Sequence, residues 1–341
     1  MTTPAPFPGV IEGFYGRPWD SNARTAVIEF LGSRGFSFYC YAPKADRSLR
    51  REWRRDFTPD QRAALTRIAG CCRQARILFG VGLSPFEIWR DAEDGAIAAL
   101  DRKIDELNEI GVDILALLFD DMRGDFPGLP DKQAAIANVV AQRSTARRLI
   151  LCPTYYSSDP VLERVFGPAP PQYVEKLGRL LPREIEIFWT GPLVCSDRFD
   201  AAHLDEIAAR LGRKPFIWSN AIATDGAKGS RFLPLAPAPL SHDLANHAAG
   251  IAVNGMNQGF LTQVALSVMT GVDAEAAPYK VRKLIARDAA TFTKAGLDGL
   301  DPVHRERLVA DYAAEARSPW AAEILAWLKG DYAFDPACLT D

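Results

Sequence analysis

What most constrains this chain is an alternation. Eight short apolar runs, rich in β-branched and aromatic residues, fall at residues 9–14, 36–41, 77–83, 113–119, 148–152, 185–189, 215–218 and 250–253. Uninterrupted apolar stretches of this length fit strands buried on both faces, as in a parallel sheet. Helical patterns lie between them. Ser21 is placed to cap a helix carrying Ala26, Val27, Phe30 and Leu31, which Gly32 or Gly35 ends. Thr58-Pro59 opens another, because proline at the first helical position lacks only an N–H that would be unpaired anyway. Residues 97–110 form a third, closed by Gly111, and residues 205–211 a further one, closed by Gly212. Eight strands alternating with helices predict an α/β fold, a (β/α)8 TIM barrel over residues 1–272. A doubly wound open sheet is the competing arrangement, and the lack of a GxGxxG after the first run counts against it. Residues 274–292, 304–316 and 320–328 read as helices with no further strand run, so residues 273–341 are expected to form a short helical appendage. The proline-rich stretch 234–239 sits between the seventh and eighth runs and reads as a barrel loop.

Composition narrows the function classes. With 341 residues, 48% of them hydrophobic, the chain can bury a sizeable core. Forty basic against 43 acidic residues leave no nucleic-acid footprint. No apolar run approaches the ~20 residues of a membrane span, and residues 1–9 lack the basic and apolar regions of a secretory signal. A cytoplasmic protein with no membrane partner is expected. The six cysteines follow no metal spacing and read as buried free thiols; Cys40, Cys152 and Cys195 lie inside apolar runs. His242 and His247 are five apart, the wrong interval for a zinc helix. Neither a metal nor an organic cofactor is expected.

In such a barrel, functional groups gather where strands end at the C-terminal face. Reading off those ends gives Gly13 to Trp19, Tyr41 to Lys44, Asp120-Asp121, Thr154 to Tyr156, Trp189 to Pro192, Trp218 to Asn220 with Asp225 beyond, and Asn254 to Gln258. Carboxylates, amides and aromatics without a His or Cys ligand set describe a carbohydrate pocket. Each signal also has a structural reading. Asp120-Asp121 can be a helix-capping turn, Lys44 a solvated loop charge, Tyr156 and Trp218 core aromatics, Asn220 and Asn254 turn residues. Their coincidence on one face favours a site.

The runs GVIEGFYGRPW (residues 9–19), YAPK (41–44), LLFDD (117–121), CPTYY (152–156) and WTGP (189–192) resemble glycoside hydrolase family 84, in order and at similar spacing. That family holds protein O-GlcNAcases and related bacterial β-N-acetylglucosaminidases. The resemblance implies a barrel that removes terminal β-linked N-acetylglucosamine with retention, from a glycoprotein or a glycan. It implies catalytic roles for Asp120 and Asp121, and sugar-holding roles for Gly13, Lys44, Tyr156, Asn220 and Asp225. An asparagine of the eighth strand completes the set, Asn254 or else Asn257, and Trp218 is a candidate pocket wall. Three positions depart from the family pattern: Ala45 and Ser219 stand where Asp is usual, and Gly255 where Pro is common.

Adjacent strand-end carboxylates are expected to diverge, which suits them poorly to sit ~5 Å apart across a glycosidic bond as nucleophile and acid. Substrate assistance is the expected alternative, with the acetamide oxygen attacking, Asp120 steadying the acetamide nitrogen and Asp121 as acid and base. Two other readings are a β-N-acetylhexosaminidase acting on free oligosaccharides or glycosaminoglycan ends, and a sugar-binding barrel without turnover.

Overall fold

The computed structural model describes residues 7–89, 94–241, 243–271 and 277–339. Eight parallel strands close into a barrel in sequence order: β1 (Pro8–Glu12), β2 (Phe38–Tyr41), β3 (Leu78–Leu83), β4 (Ile114–Leu118), β5 (Arg148–Cys152), β6 (Ile185–Trp189), β7 (Phe216–Ser219) and β8 (Gly250–Asn254). Closure is made by β1 beside β8, with Val10 opposite Val253 and Ile11 opposite Asn254. All eight expected runs are strands, and the barrel is the (β/α)8 fold that their alternation predicts.

Aromatic rings fill the lower barrel. Phe216 meets Phe38 and Phe188 edge-on, with centroids 6.0 and 5.4 Å apart. Space for these rings comes from glycine: a Cβ at Gly9 would lie 2.3 Å from the Phe38 ring. Arg148 stacks over Phe7 at 3.8 Å and pairs with Glu186 at the start of the neighbouring strand.

The helices begin where local chemistry dictates, with one correction. Thr58 and Gln61 form a reciprocal capping box ahead of Pro59–Ala75, as the Thr-Pro pair predicts. Ahead of Ser21–Ser33, however, the cap is Asp20 and not Ser21, because the Asp20 carboxylate accepts the Ala23 N–H at 2.8 Å. A carboxylate is also the better partner for the positive end of a helix. The loop 234–239 connects β7 to β8 as expected, and Ala236 N–H donates to Thr293 of a later helix.

Three helices, Tyr279–Lys294, Pro302–Ala314 and Pro319–Lys329, pack beside the barrel. The anticipated division at residues 272 and 273 lies outside the described residues, as does His242. Docking is specific. The half-buried Glu323 carboxylate accepts the N–H groups of Phe260 (3.1 Å) and Leu261 (2.9 Å) in the first turn of Gly259–Thr270, and Trp320 packs on Phe260 with centroids 5.1 Å apart. That turn would otherwise present unpaired donors. No helix of the described residues is long and apolar enough to cross a membrane.

Candidate active site

Glu12, the last residue of β1, is fully buried and shapes the loop that follows. It accepts the Trp19 N–H (3.0 Å), two bonds from Arg24 (2.8 and 2.9 Å) and the Tyr39 hydroxyl. Pinning Trp19 back to Glu12 folds residues 13–19 over the barrel mouth. Gly13 then passes so close to Trp218 that a Cβ there would lie 2.6 Å from the indole.

Above the strand ends lies a cavity of about 530 Å³, and all nine candidate residues (Gly13, Lys44, Asp120, Asp121, Tyr156, Trp218, Asn220, Asp225 and Asn254) line it. Lys44 is its electrostatic centre, only 6% exposed. Its ammonium pairs with Asp120 and lies 3.1 Å from Asp121 Oδ2. The expected divergence of the two carboxylates is therefore corrected. Asp121 takes a left-handed backbone, φ 57°, which swings its side chain back to the ammonium that Asp120 reaches from the strand end. Asp is among the few non-glycine residues that adopt this region readily.

The pair is electrostatically unequal. Burial raises the Asp120 carboxyl above its ordinary value despite Lys44, and no donor among the described residues reaches its buried Oδ1. Burial also opposes the charge on Asp121, but Lys44 and the Tyr15 hydroxyl, which donates to Oδ2 at 2.8 Å, hold it below the usual range. Of the two carboxyls, Asp120 is therefore the harder to ionise and Asp121 the easier. Burial disfavours the Lys44 ammonium, yet its two carboxylates outweigh burial and keep it firmly charged.

The amides form a second chain. Asn254 accepts the Gly13 N–H at 3.0 Å and donates to Asn220 Oδ1 at 3.0 Å. Asn220 Oδ1 also accepts Trp218 Nε1–H at 2.8 Å, while its amide nitrogen donates to the Val194 carbonyl. Of the two β8 asparagines, Asn254 lines the cavity; Asn257 instead donates to the carbonyls of Tyr15 and Arg17 outside it. Asp225 accepts the Tyr15 N–H at 2.8 Å, and burial lifts its carboxyl. Trp218 and Tyr156 supply buried apolar faces, with Trp218 held edge-on against Phe188.

Two residues were missed from sequence. Tyr15 sits inside the first strand-end run, and its bonds to both Asp121 and Asp225 make it the bridge between acid and sugar-holding groups. Arg50, 4% exposed, donates to the Tyr15 hydroxyl at 3.2 Å. Its flanks Leu49-Arg50-Arg51-Glu52 look like a solvated turn, and nothing local signals its burial. Cys195 corrects the expectation of buried thiols: it is exposed, in the loop after β6 at the cavity edge, whereas Cys40, Cys72 and Cys152 are buried. No group of three or more His, Cys, Asp or Glu among the described residues is arranged to hold a metal.

Comparison with known proteins accords with this geometry. The β-N-acetylglucosaminidase family profile matches residues 8–299. Protein O-GlcNAcase of Mus musculus is 30% identical over 234 residues, 66% of this chain and 25% of that protein, so the chain spans about a quarter of this relative's length. Among solved structures, a mutant of Thermobaculum terrenum O-GlcNAc hydrolase superposes with a TM-score of 0.72 at 25% identity, covering 95% of this chain and 80% of that one. CpGH84B shares the fold with a TM-score of 0.74 at 20% identity, over 94% of this chain and 66% of that one.

Proposed function

The chain belongs to the β-N-acetylglucosaminidase family of glycoside hydrolases, and on that premise we propose that it releases terminal β-linked N-acetylglucosamine from serine and threonine of proteins by substrate-assisted catalysis. The observation that carries the mechanism is that Asp120 and Asp121 both line the cavity with one ammonium, that of Lys44, against the two of them. Lys44 engages one Asp120 oxygen, and an acetamide N–H is a fitting donor to the carboxylate. One ammonium, that of Lys44, contacts both carboxylates, so the two sit side by side, an arrangement poorly suited to attack and protonation from opposite sides of an anomeric carbon.

In this mechanism the acetamide N–H donates to Asp120 and favours its ionised form. As general acid, Asp121 carries a proton at this stage, which the ionised Asp120 beside it favours. The acetamide oxygen then attacks the anomeric carbon as the bond to the leaving oxygen breaks, and Asp121 delivers its proton to that oxygen. Positive charge growing on the acetamide nitrogen is met by the Asp120 carboxylate. Asp121 next removes a proton from water, which opens the oxazoline with net retention of configuration. Tyr156 orients the acetamide, Trp218 walls the ring, and Gly13, Lys44, Asn220, Asp225 and Asn254 hold its hydroxyls. Protein substrates are favoured by the resemblance to protein O-GlcNAcase. The buried free thiols suit a reducing compartment such as the cytoplasm. Hydrolysis of an O-GlcNAc-modified peptide beside chitobiose tests the substrate: preference for the glycopeptide is expected, and exclusive use of chitobiose contradicts it.

A further inference from the structure

Three residues belong to two spaces at once. Tyr15, Asp225 and Phe334 line the cavity that contains Asp120 and Asp121, and the same three line a neighbouring groove of about 580 Å³. They form the partition between the two. Two of them are tied into the site: the Asp225 carboxylate accepts the Tyr15 N–H, and the Tyr15 hydroxyl donates to Asp121, both at 2.8 Å. The third arrives from the far end of the chain, after the helix Pro319–Lys329. Gly330, at φ 92°, ends that helix and donates its N–H to the Trp327 carbonyl at 3.0 Å. The Asp331 N–H then bonds to the Ala326 carbonyl and the Ala333 N–H to that of Gly330, both at 3.0 Å. Trp327 fastens this turn to the loop of Asp225. Its Nε1–H donates to the Ser230 carbonyl at 3.0 Å, and the Ser230 N–H donates to the carbonyl of Gly226, next to Asp225, at 2.8 Å. The half-buried Phe334 is thereby set at the junction with Tyr15 and Asp225.

Asp225 is among the residues that hold the sugar hydroxyls in the reading above, and this inference rests on that reading. The junction then lies at the hydroxyl end of the sugar, and a substituent on a hydroxyl that Asp225 holds points to it. The groove behind has the volume of a small-ligand pocket and could take a further ring. A phenyl ring at the junction offers a continuing sugar neither donor nor acceptor, and it occupies the way through. We propose that Phe334 closes the sugar pocket at the Asp225 end, so that only an N-acetylglucosamine without a further sugar on its own hydroxyls is accepted. Phe334 sets this specificity by obstructing the extended sugar, not by added contact with the terminal one.

The experiment measures kcat/KM of the full chain on a nitrophenyl β-N-acetylglucosaminide and on the same glycoside extended by galactose at its 4- or its 6-hydroxyl. The wild type should strongly prefer the unextended glycoside. In Phe334→Ala the extended-to-unextended ratio should rise about tenfold or more for at least one linkage, the scale on which a pocket wall discriminates by size. Loosening of the fold lowers all three rates together and does not raise that ratio. Phe334→Leu, which keeps a smaller apolar side chain in place, is a milder second arm and should move the ratio the same way by less. A wild type that cleaves an extended glycoside as well as the plain one overturns the closure, and so does an unchanged ratio in the folded variants. The 4-deoxy and 6-deoxy glycosides test the reading beneath it: losing one of these hydroxyls should cost the wild type more than it costs Asp225→Ala. Equal costs in both proteins take Asp225 off the hydroxyls and end the proposal on that ground, whatever the Phe334 variants show.

Discussion

Lys44 and Asp120, 76 residues apart in sequence, form a buried ion pair in which the carboxylate spends only one of its two oxygens. The same ammonium reaches Asp121 at 3.1 Å. A single cation thus sets the charge of both carboxylates, and removing it has a definite sign. Without Lys44, ionising the pair is harder, so the carboxyl pKa values rise. Lys44→Met should lower kcat/KM by roughly 10²-fold, the scale of losing one electrostatic stabiliser. The alkaline limb of the pH profile, which reports loss of the pair's last proton, should move to higher pH. A limb that stays in place would separate Lys44 from the pair.

Asp121, bonded to the Tyr15 hydroxyl, is the group placed to protonate the leaving oxygen. Asp121→Asn should depress hydrolysis of alkyl glycosides far more than that of nitrophenyl glycosides, whose leaving groups need little protonation. The gap should be about 10²-fold or more, within the usual range of general acid catalysis. Equal losses across a leaving-group series would remove Asp121 from this role.

Asn220 accepts from both Trp218 and Asn254, so its loss is felt in structure as well as binding. Asn220→Ala should weaken a substrate-shaped inhibitor by about 1–3 kcal/mol and also lower Tm. Asp225→Ala leaves only the Tyr15 N–H without its carboxylate, and should weaken the inhibitor with a smaller change in Tm. Calorimetric titration alongside thermal melts distinguishes the two, and wild-type affinity in either folded variant would make that residue purely structural.

Glu323 ties the helix Pro319–Lys329 to the start of Gly259–Thr270. Burial pushes its carboxyl from the ordinary 4.5 up to about 8, against the backbone donors that favour its ionised form. The folded state therefore binds this proton more tightly than the unfolded chain does. Its stabilising contribution is complete below about pH 4.5 and is lost as pH rises through about 8. Between pH 5 and 8 the wild type should lose at least ~1 kcal/mol relative to Glu323→Gln, roughly 2 °C or more in Tm for a chain of this size. Parallel melting curves across that range would contradict it.

The barrel was legible because strands buried on both faces are largely apolar, as residues 114–118 and 149–152 are, and because no GxGxxG follows the first run to support an open doubly wound sheet. Most of the site was legible for a related reason: strand ends at the C-terminal face come from the same runs, and the family motifs on those ends single out Lys44, Asp120 and one of Asn254 and Asn257. What escaped depends on backbone conformation and on long-range return of the chain. The convergence of Asp121 on Lys44 follows from one left-handed residue, which no periodicity announces. Arg50 is buried against the rings of Tyr15 and Phe86, residues 35 and 36 positions away in sequence, and Asp20 outcompeted Ser21 as a cap by one position.

Stepwise replacement of the acetyl hydrogens by fluorine tests most directly which atom attacks the anomeric carbon. Fluorine withdraws electrons from the acetamide oxygen with little change in size and without touching the protein. With the acetamide as nucleophile, kcat/KM falls steeply and monotonically from acetyl to trifluoroacetyl, the first product keeps the β configuration, and a cyclic oxazoline mimic binds far more tightly than N-acetylglucosamine. A flat series, or a glycosyl ester trapped on Asp120 or Asp121, would show instead that a protein carboxylate attacks.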